Sequence, residues 1–198
     1  MFEEQLIRIK DKLARAKAKD TELNQFGADE HLYEFNPPLS AHEVRQFEQQ
    51  KGIQLPEDFF AFITTLGNGG PGAYGGPGPF YGVYELGELG YMVGTENTMA
   101  LPCLITTQLT HEQWLESTAF DEGYSIMEKG TAYYQQYYRL FSGLLPIGTQ
   151  GDSFQTMLIL NGDAYGRVVS IDQDLQMPIL APQKNFLDWY EHWLDVLL

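Results

Sequence analysis

Residues 52–82, GIQLPEDFFAFITTLGNGGPGAYGGPGPFYG, decide the fold of this chain. Pro56 is placed to begin a helix, because proline lacks the N–H that would stay unpaired there, and Glu57 and Asp58 suit the positive end of the helix dipole. The spacing of three and four residues predicts one buried apolar face and one outward polar face. The buried face comprises Phe59, Phe62, Ile63 and Leu66, and the outward face comprises Glu57, Asp58, Thr64 and Thr65.

A Gly/Pro loop follows this helix. Gly67–Gly70 tolerates positive φ and Pro71 prevents the helix from resuming, whereas Phe80–Leu86 has the aromatic and β-branched content of a strand. The loop lacks the Lys-Ser/Thr ending of a phosphate-binding loop, and it lies after a helix and before a strand, the reverse of the order that such a loop requires. We therefore expect no nucleotide and no other cofactor here.

Two further helices are predicted before this stretch. Glu3 to Lys19 carries Leu6, Ile9, Leu13 and Ala16 on one face and a basic cluster around the rest, and it either packs on the body or projects as an arm. Acidic residues interleave with the basic ones and aromatic residues are absent, which favours a solvated helix face over a nucleic-acid-binding helix. Ser40–Glu43 forms a capping box that begins a helix to about Lys51, and Gly52 ends it.

The remaining elements are predicted from shorter signals. A second capping box at Thr110–Gln113 opens a short helix through Trp114 and Leu115, and Ala100–Ile105 is strand-like. Phe120–Tyr124 resembles an exposed acidic turn. Tyr133–Phe141 fits an aromatic-faced helix or an extended segment, and the helix is favoured.

The C-terminal third is predicted as a sheet followed by a helix. The expected order is a strand at Leu144–Ile147, a loop at Gly148–Asp152, a strand at Phe154–Leu160, a strand at Arg167–Asp172, and, after Pro182, a helix carrying Phe186, Trp189, Tyr190, Trp193, Leu194 and Leu197.

Composition indicates a soluble, unexported protein. At 198 residues, 43% of them hydrophobic and 20% charged, the chain fits one domain of generous size or a domain with appendages. No apolar run has the ~18 residues of a membrane span, and the N-terminus lacks a signal-peptide region. Cys103 is the single cysteine. It excludes an internal disulfide and a cysteine-based zinc site, fits a reducing cytoplasmic setting, and is interpreted as a buried small hydrophobe.

The charge is concentrated after Ser40. Six basic and eight acidic residues lie up to that position, and six basic and nineteen acidic residues follow it, out of a net charge of −15. Such a body repels nucleic acid and anionic membrane and attracts a basic partner. Solubility alone explains the same excess equally well.

No reactive constellation is visible. The four histidines are scattered, with no two of them at the i, i+4 helical spacing of a metal site, and no Gly-x-Ser-x-Gly elbow occurs. Three acidic pairs could supply acid–base chemistry or weak calcium binding, but their turn-like settings favour solvated surface charge: Asp121/Glu122, Asp172/Asp174 and Glu85/Glu88. We therefore expect a recognition module rather than an enzyme.

Three stretches together resemble one known family. Leu39–Gly70, LSAHEVRQFEQQKGIQLPEDFFAFITTLGNGG, resembles the opening of the SUKH superfamily, with its acid-containing helix, Gly-h-x-Leu-Pro-x-Asp-h pattern (h, hydrophobic) and glycine-rich stop. Leu144–Asp172 and Phe186–Asp195 are similar to the family's later strands and closing helix. Asp152 departs from the pattern, since bacterial relatives often have a cysteine or small residue there. The N-terminal helix and residues 87–142 have no evident counterpart.

The resemblance implies an α+β fold with a single central, mostly antiparallel sheet and helices packed against it. The expected SUKH-like domain covers residues 39–198, and it follows an N-terminal helix and irregular lead-in over residues 1–38. Bacterial members are usually cytoplasmic immunity proteins of polymorphic or contact-dependent toxin systems, which bind and neutralise a cognate toxin, often a nuclease. A fungal branch regulates cell-wall synthesis. The family has no established catalytic residues.

The leading hypothesis is therefore a non-enzymatic immunity protein whose acidic surface occludes a basic toxin. The expected partner-binding residues are exposed aromatic and acidic side chains near loops: Tyr74, Tyr81, Glu85, Asp121, Glu122 and Asp152. The alternative is an intracellular regulatory or scaffold module that binds a host peptide or protein, and a weaker one is an enzyme using a carboxylate pair. The sequence leaves the oligomeric state open.

Overall fold

The computed structural model describes residues 2–123, 125 and 129–198, and within them one sheet separates two groups of helices. The helices are α1 (Glu3–Lys19), α2 (Ala28–His31), α3 (Ala41–Lys51), α4 (Glu57–Thr65), α5 (His111–Thr118), a 3₁₀ helix (Ala119–Gly123), α6 (Thr131–Leu140) and α7 (Phe186–Leu197). The strands are β1 (Leu144–Gly151), β2 (Phe154–Ile159), β3 (Val168–Asp172) and β4 (Ile179–Leu180).

The sheet is a four-stranded antiparallel meander in the order β1-β2-β3-β4. It confirms the predicted α+β class with a single antiparallel sheet. The predicted loop at Gly148–Asp152 is wrong, because β1 runs on to Gly151 and only Asp152 and Ser153 make the turn to β2. Two register irregularities in β1 keep its glycines within the ladder. The two-residue β4 was not predicted.

Side chains alternate between two cores on opposite faces of the sheet. Leu145, Leu158 and Val168 belong to a large core that includes apolar residues of α1, α3, α4 and α7. Their neighbours Leu144, Met157, Ile159 and Val169 belong to a second core with residues of α5 and α6. Since successive residues of a strand point to opposite faces, the sheet is the middle layer of three.

Helix α1 packs on α7 and does not project as an arm. Its predicted apolar face is buried in the larger core. On the flank, the carboxylate of Glu191 accepts hydrogen bonds from Arg8, from Lys12 at 2.9 Å and from Gln5 at 3.1 Å. Burial acts to raise the pKa of Glu191, but the hydrogen bonds from Arg8, Lys12 and Gln5 outweigh it and lower the pKa. Part of the basic cluster of α1 therefore binds the acidic flank of α7.

Helix α4 begins after Pro56, as predicted, but Asp58 does not look outward. Its side chain is 5% exposed, and its Oδ2 accepts a hydrogen bond from the N–H of Leu187 at 3.0 Å. A carboxylate in the first turn of one helix thus caps the first turn of another. This contact between residues 129 positions apart has no local sequence signal, because helical periodicity alone places Asp58 on the polar side.

Both capping boxes, the helix end at Lys51, the C-terminal helix α7 and the aromatic helix α6 are confirmed. The predicted strands at Phe80–Leu86 and Ala100–Ile105 are wrong. Phe80 has a φ of +58° in a turn, and only Val83 makes an isolated bridge, to Gly76. Ala100–Ile105 also lacks strand structure, and Leu101 and Leu104 are each more than 40% exposed. The predicted acidic turn at Phe120–Tyr124 falls on the 3₁₀ helix. Tyr124, the last residue of the predicted turn, lies outside the described residues.

Candidate interaction surface at the glycine loop

The glycine loop, residues 67–82, is shaped by contacts between backbones. Val83 and Gly76 exchange two backbone hydrogen bonds of 2.8 and 2.9 Å, which fold the loop back on itself. Gly82 has a φ of +114°, and a Cβ there would lie 2.1 Å from the carbonyl oxygen of Gly76. Gly27 has a φ of +78°, and a Cβ there would lie 1.9 Å from the carbonyl oxygen of Phe80. Glycine is therefore required at both close approaches.

The loop is attached to one edge of the sheet. The N–H of Tyr84 donates to the carbonyl of Ile147 in β1 at 2.9 Å, and the carbonyl of Gly82 lies against Gly148. The Tyr84 side chain is buried, and this burial together with the negative charge of Glu88 raises its pKa to about 12. The segment just after the loop thus covers the β1 edge and fixes where the loop emerges.

Five aromatic side chains lie on and around this loop, and we name them the glycine-loop patch: Phe26, Tyr74, Phe80, Tyr81 and Tyr91. The ring of Tyr81 contacts Phe26 edge-on at 4.9 Å between centroids and Tyr74 at 5.2 Å. Phe26 is 61% exposed and Tyr91 is 57% exposed. Large apolar side chains left this accessible in one place are typical of interaction sites.

The patch is set in an acidic environment. A side-chain hydrogen bond with Tyr91 raises the pKa of Tyr74, and the negative charge of Glu30 acts in the same direction. In sequence, residues 52–128 contain ten carboxylates and neither lysine nor arginine. Four of the five patch residues belong to this cation-free stretch, so their neighbours in sequence add no positive charge to the patch.

Four of the six predicted partner-binding residues lie at the loop. Tyr74 and Tyr81 contact each other within the patch. Asp152 is exposed in the β1–β2 turn. It follows Gly151, and a Cβ added at Gly151 would lie 3.1 Å from the ring of Tyr81. Glu85 is exposed at the end of the loop, where it accepts a hydrogen bond from Asn36 at 2.7 Å.

The other two lie on the 3₁₀ helix, on the α5–α6 side of the sheet. Asp121 accepts hydrogen bonds from the hydroxyl of Tyr133 at 2.7 Å and from Lys129 at 3.0 Å. These two hydrogen bonds lower the pKa of Asp121, and its charge is balanced within the chain. Glu122 is exposed beside it. The structure therefore does not bring this acidic pair into the glycine-loop patch.

Sequence reasoning missed Phe26, Phe80 and Tyr91 as patch members. Phe26 stands alone in a polar segment immediately before Gly27, and an aromatic residue without apolar periodicity is a signal that could have marked it. Tyr91 carries no comparable signal, because it reaches Tyr74 only through the turns that follow the loop.

In the described part of the chain, the single cysteine and the metal-ligating residue types are the other candidates for a site. Cys103 is half-buried, and burial raises the pKa of its thiol to about 11. Across residues 2–123, 125 and 129–198 there is no group of three or more His, Cys, Asp or Glu side chains arranged to hold a metal ion. In the same residues none of the helices combines the length and apolarity that a bilayer crossing requires.

Comparison with known proteins gives a family but no close relative. Neither the curated proteins nor the solved structures contain a match to this sequence. The family model described as SMI1 / KNR4 family (SUKH-1) matches residues 38–191, which include α3, α4, the glycine loop, the whole sheet and the first half of α7. Since that match covers well over half of the chain, the protein belongs to the SMI1/KNR4 (SUKH-1) family.

Proposed function

We propose that this protein is an immunity protein that binds and neutralises a cognate bacterial toxin, and that it makes contact through the glycine-loop patch. The observation that carries the proposal is a cluster of five aromatic side chains, four of which belong to a stretch without lysine or arginine. Family membership supports an immunity-like or SMI1/KNR4-type module. The protein acts in the cytoplasm by covering a surface and carries out no reaction itself.

The two components of the surface have separate physical roles. Tyrosine and phenylalanine supply large contact areas with few rotatable bonds, so their burial against a partner governs how long the complex lasts. Surrounding carboxylates raise the rate of encounter with a basic protein. A toxin that binds nucleic acid presents such a basic surface, so a nuclease is the expected class of partner.

The expected contact residues follow from this placement. Tyr74, Tyr81 and Asp152 belong to one surface together with Phe26, and Glu85 lies at its margin. The acidic pair at Asp121 and Glu122 would contact only a partner that also reaches the α5–α6 side of the sheet. The alternative function, a regulatory module for a host peptide or protein, would use the same patch without a toxin.

Co-expression with any toxin domain that is encoded next to this gene tests the proposal. Cells that carry both genes should survive, and Phe26→Ala with Tyr81→Ala should abolish protection. Tyr134→Ala provides the matched control, because Tyr134 is a 43%-exposed tyrosine on α6, outside the patch. No protection by the natural protein would exclude this function and leave the regulatory alternative. Protection that survives in the double variant would exclude the patch as the contact surface.

Binding kinetics separate the two physical roles. The double variant should weaken the complex at least tenfold, chiefly through faster dissociation, as expected when aromatic anchors are removed. Raising the salt from about 50 to 500 mM should slow association of the natural protein, because screening shortens the range of its negative field. An association rate that does not change with salt would contradict electrostatic steering.

A further inference from the structure

The β4 end of the sheet is an open edge. The N–H of Ala181 donates to the carbonyl of Val168 at 2.9 Å, and Leu180 is the next residue in the same antiparallel register. Hydrogen-bonded and non-hydrogen-bonded pairs alternate in such a ladder, so the N–H and C=O of Leu180 point away from β3. No element of the described chain pairs with this side of β4, whereas the β1 edge is covered by Tyr84.

Grooves border this edge on both faces of the sheet. The first, of about 690 Å³, lies between β4 and α5 and is lined by Trp114 and Leu115. The second, of about 430 Å³, lies on the α7 side and is lined by Trp189 and Trp193. Ile179 and Leu180 line both grooves, and Ile179 is 67% exposed.

This arrangement matches the geometry of an added strand. Successive side chains of an extended segment point to opposite faces, so a strand paired with Leu180 would place alternate residues in the two grooves. Its backbone would also satisfy the outward N–H and C=O of Leu180. We infer that β4 accepts an extended segment of a basic protein as a fifth strand of the sheet.

Charge complementarity selects the occupant. Glu112 and Glu116 are exposed on α5, the helix that lines the first groove through Trp114 and Leu115, and Asp163 is held against its lining by two hydrogen bonds with Thr107. No lysine or arginine occurs in residues 52–128 or 168–183, and the guanidinium of Arg167 is engaged by the carbonyl of Ala181. The segment therefore carries lysine or arginine between or beside its apolar residues. A second copy of this chain is disfavoured as the occupant, because each copy has a net charge of −15.

Phe80 of the glycine-loop patch also lines the second groove, but the pairing edge itself lies on β4, and the inference does not depend on the existence of a toxin. A synthetic peptide, acetyl-Lys-Val-Lys-Ile-Lys-Val-Lys-amide, is a suitable probe for titration into the full-length ¹⁵N-labelled protein. We expect a saturable shift of the backbone amide of Leu180. We also expect binding that weakens at least tenfold when the three central peptide residues are N-methylated, since N-methylation removes the strand's donors. An aspartate-for-lysine peptide should bind at least tenfold more weakly.

Two variants of the protein test the backbone hydrogen bond that the N–H of Leu180 would donate to the added strand. Leu180→Pro removes the outward N–H without removing a bond to β3, and Leu180→Ala removes the side chain alone. The proline variant should bind the probe at least tenfold more weakly than the alanine variant, measured by calorimetry. Equal binding by the two variants, no saturable shift up to about 1 mM probe, or shifts confined to the glycine-loop patch would overturn the inference. Because toxin protection is not the readout, these outcomes are distinct from failure of the proposed function.

Discussion

Replacing Asp58 by alanine should destabilise the fold by about 2–3 kcal/mol. The carboxylate accepts the N–H of Leu187, which is fully buried, and without it that donor has no partner. An unsatisfied buried donor costs about 1–3 kcal/mol. Loss of a negative charge near the first turns of α4 and α7 adds about 0.3–1 kcal/mol, and relief of the buried charge offsets part of the sum. Urea unfolding at pH 7, followed by circular dichroism, measures the difference.

Two further variants isolate the cause. Asp58→Asn keeps the acceptor and the volume, so it should lose no more than about 1 kcal/mol. Glu57→Ala changes an exposed carboxylate in the same helical turn and should stay within about 0.5 kcal/mol of the natural protein. If Asp58→Ala loses less than about 1 kcal/mol, or as little as Glu57→Ala, the carboxylate does not anchor α7.

The pH dependence of Asp58 provides an independent check. Burial raises the pKa of Asp58 above its ordinary 3.8, although hydrogen bonds from Leu187 and neighbouring N–H groups oppose the shift. The folded protein then binds the proton more tightly than the unfolded chain, so stability decreases as pH rises from 3.8 through the raised pKa. Asp58→Asn lacks this titration. The stability of the natural protein relative to Asp58→Asn should therefore fall over that window, and a rise would refute the assignment.

Three other changes test separate parts of the structure. Glu191→Ala should lose about 2 kcal/mol of the free energy of unfolding, because charged hydrogen bonds join α1 to α7, whereas the exposed Asp11→Ala should lose less than about 0.5 kcal/mol. Since the pKa of Glu191 is lowered, the stability that it contributes is present above about pH 4.5 and disappears as pH falls through the lowered pKa. Gly27→Ala should lose about 3 kcal/mol in thermal unfolding, because a Cβ would collide with the carbonyl of Phe80 at positive φ, and a loss under about 1 kcal/mol would contradict that contact. Cys103, with a thiol pKa of about 11, should react with iodoacetamide at pH 8 roughly a hundredfold more slowly than an unfolded control, and equal rates would show that the thiol is not buried.

Apart from the short α2, which lies in the lead-in expected to be irregular, the longer helices could be predicted because their signals are local. Ser40 and Thr110 each bond to a backbone N–H three residues later, and the caps are visible within four letters of sequence. The apolar stripe of α1 likewise needs no information from outside the helix. For these elements, local preference and tertiary packing agree.

The errors involve contacts that the local sequence pattern does not show. Asp58 is polar by periodicity but buried, because Leu187 provides a buried donor for it. Residues after Phe80 have strand composition, yet the glycines around them hold the backbone in turns instead of a regular ladder. The loop expected after Ile147 is strand because β2 pairs along it, and pairing of that kind follows from the partner strand rather than from local composition.

The glycine-loop patch could be predicted only in part, because some of its residues lie close in sequence and others meet only in the folded chain. Tyr74 and Tyr81 share one loop, so their proximity follows from the local chain, and both were expected to bind a partner. Phe26 joins them only because Gly27 lets the lead-in segment approach Phe80. The sequence predicted Asp121 to be an exposed, partner-binding carboxylate. In the folded chain that carboxylate accepts hydrogen bonds from Lys129 and Tyr133.

The construction of the glycine loop bears on why its aromatic residues are candidates for binding. Close backbone approaches at Gly27 and Gly82 and the backbone bonds between Gly76 and Val83 hold the loop in shape. None of these contacts uses a side chain of the patch. The exposed rings of Phe26 and Phe80 are therefore not needed to specify the loop, and an exposed aromatic residue that the fold does not need is better explained by an interaction. It follows that removing these rings should affect partner affinity far more than stability, whereas changing the glycines should do the reverse.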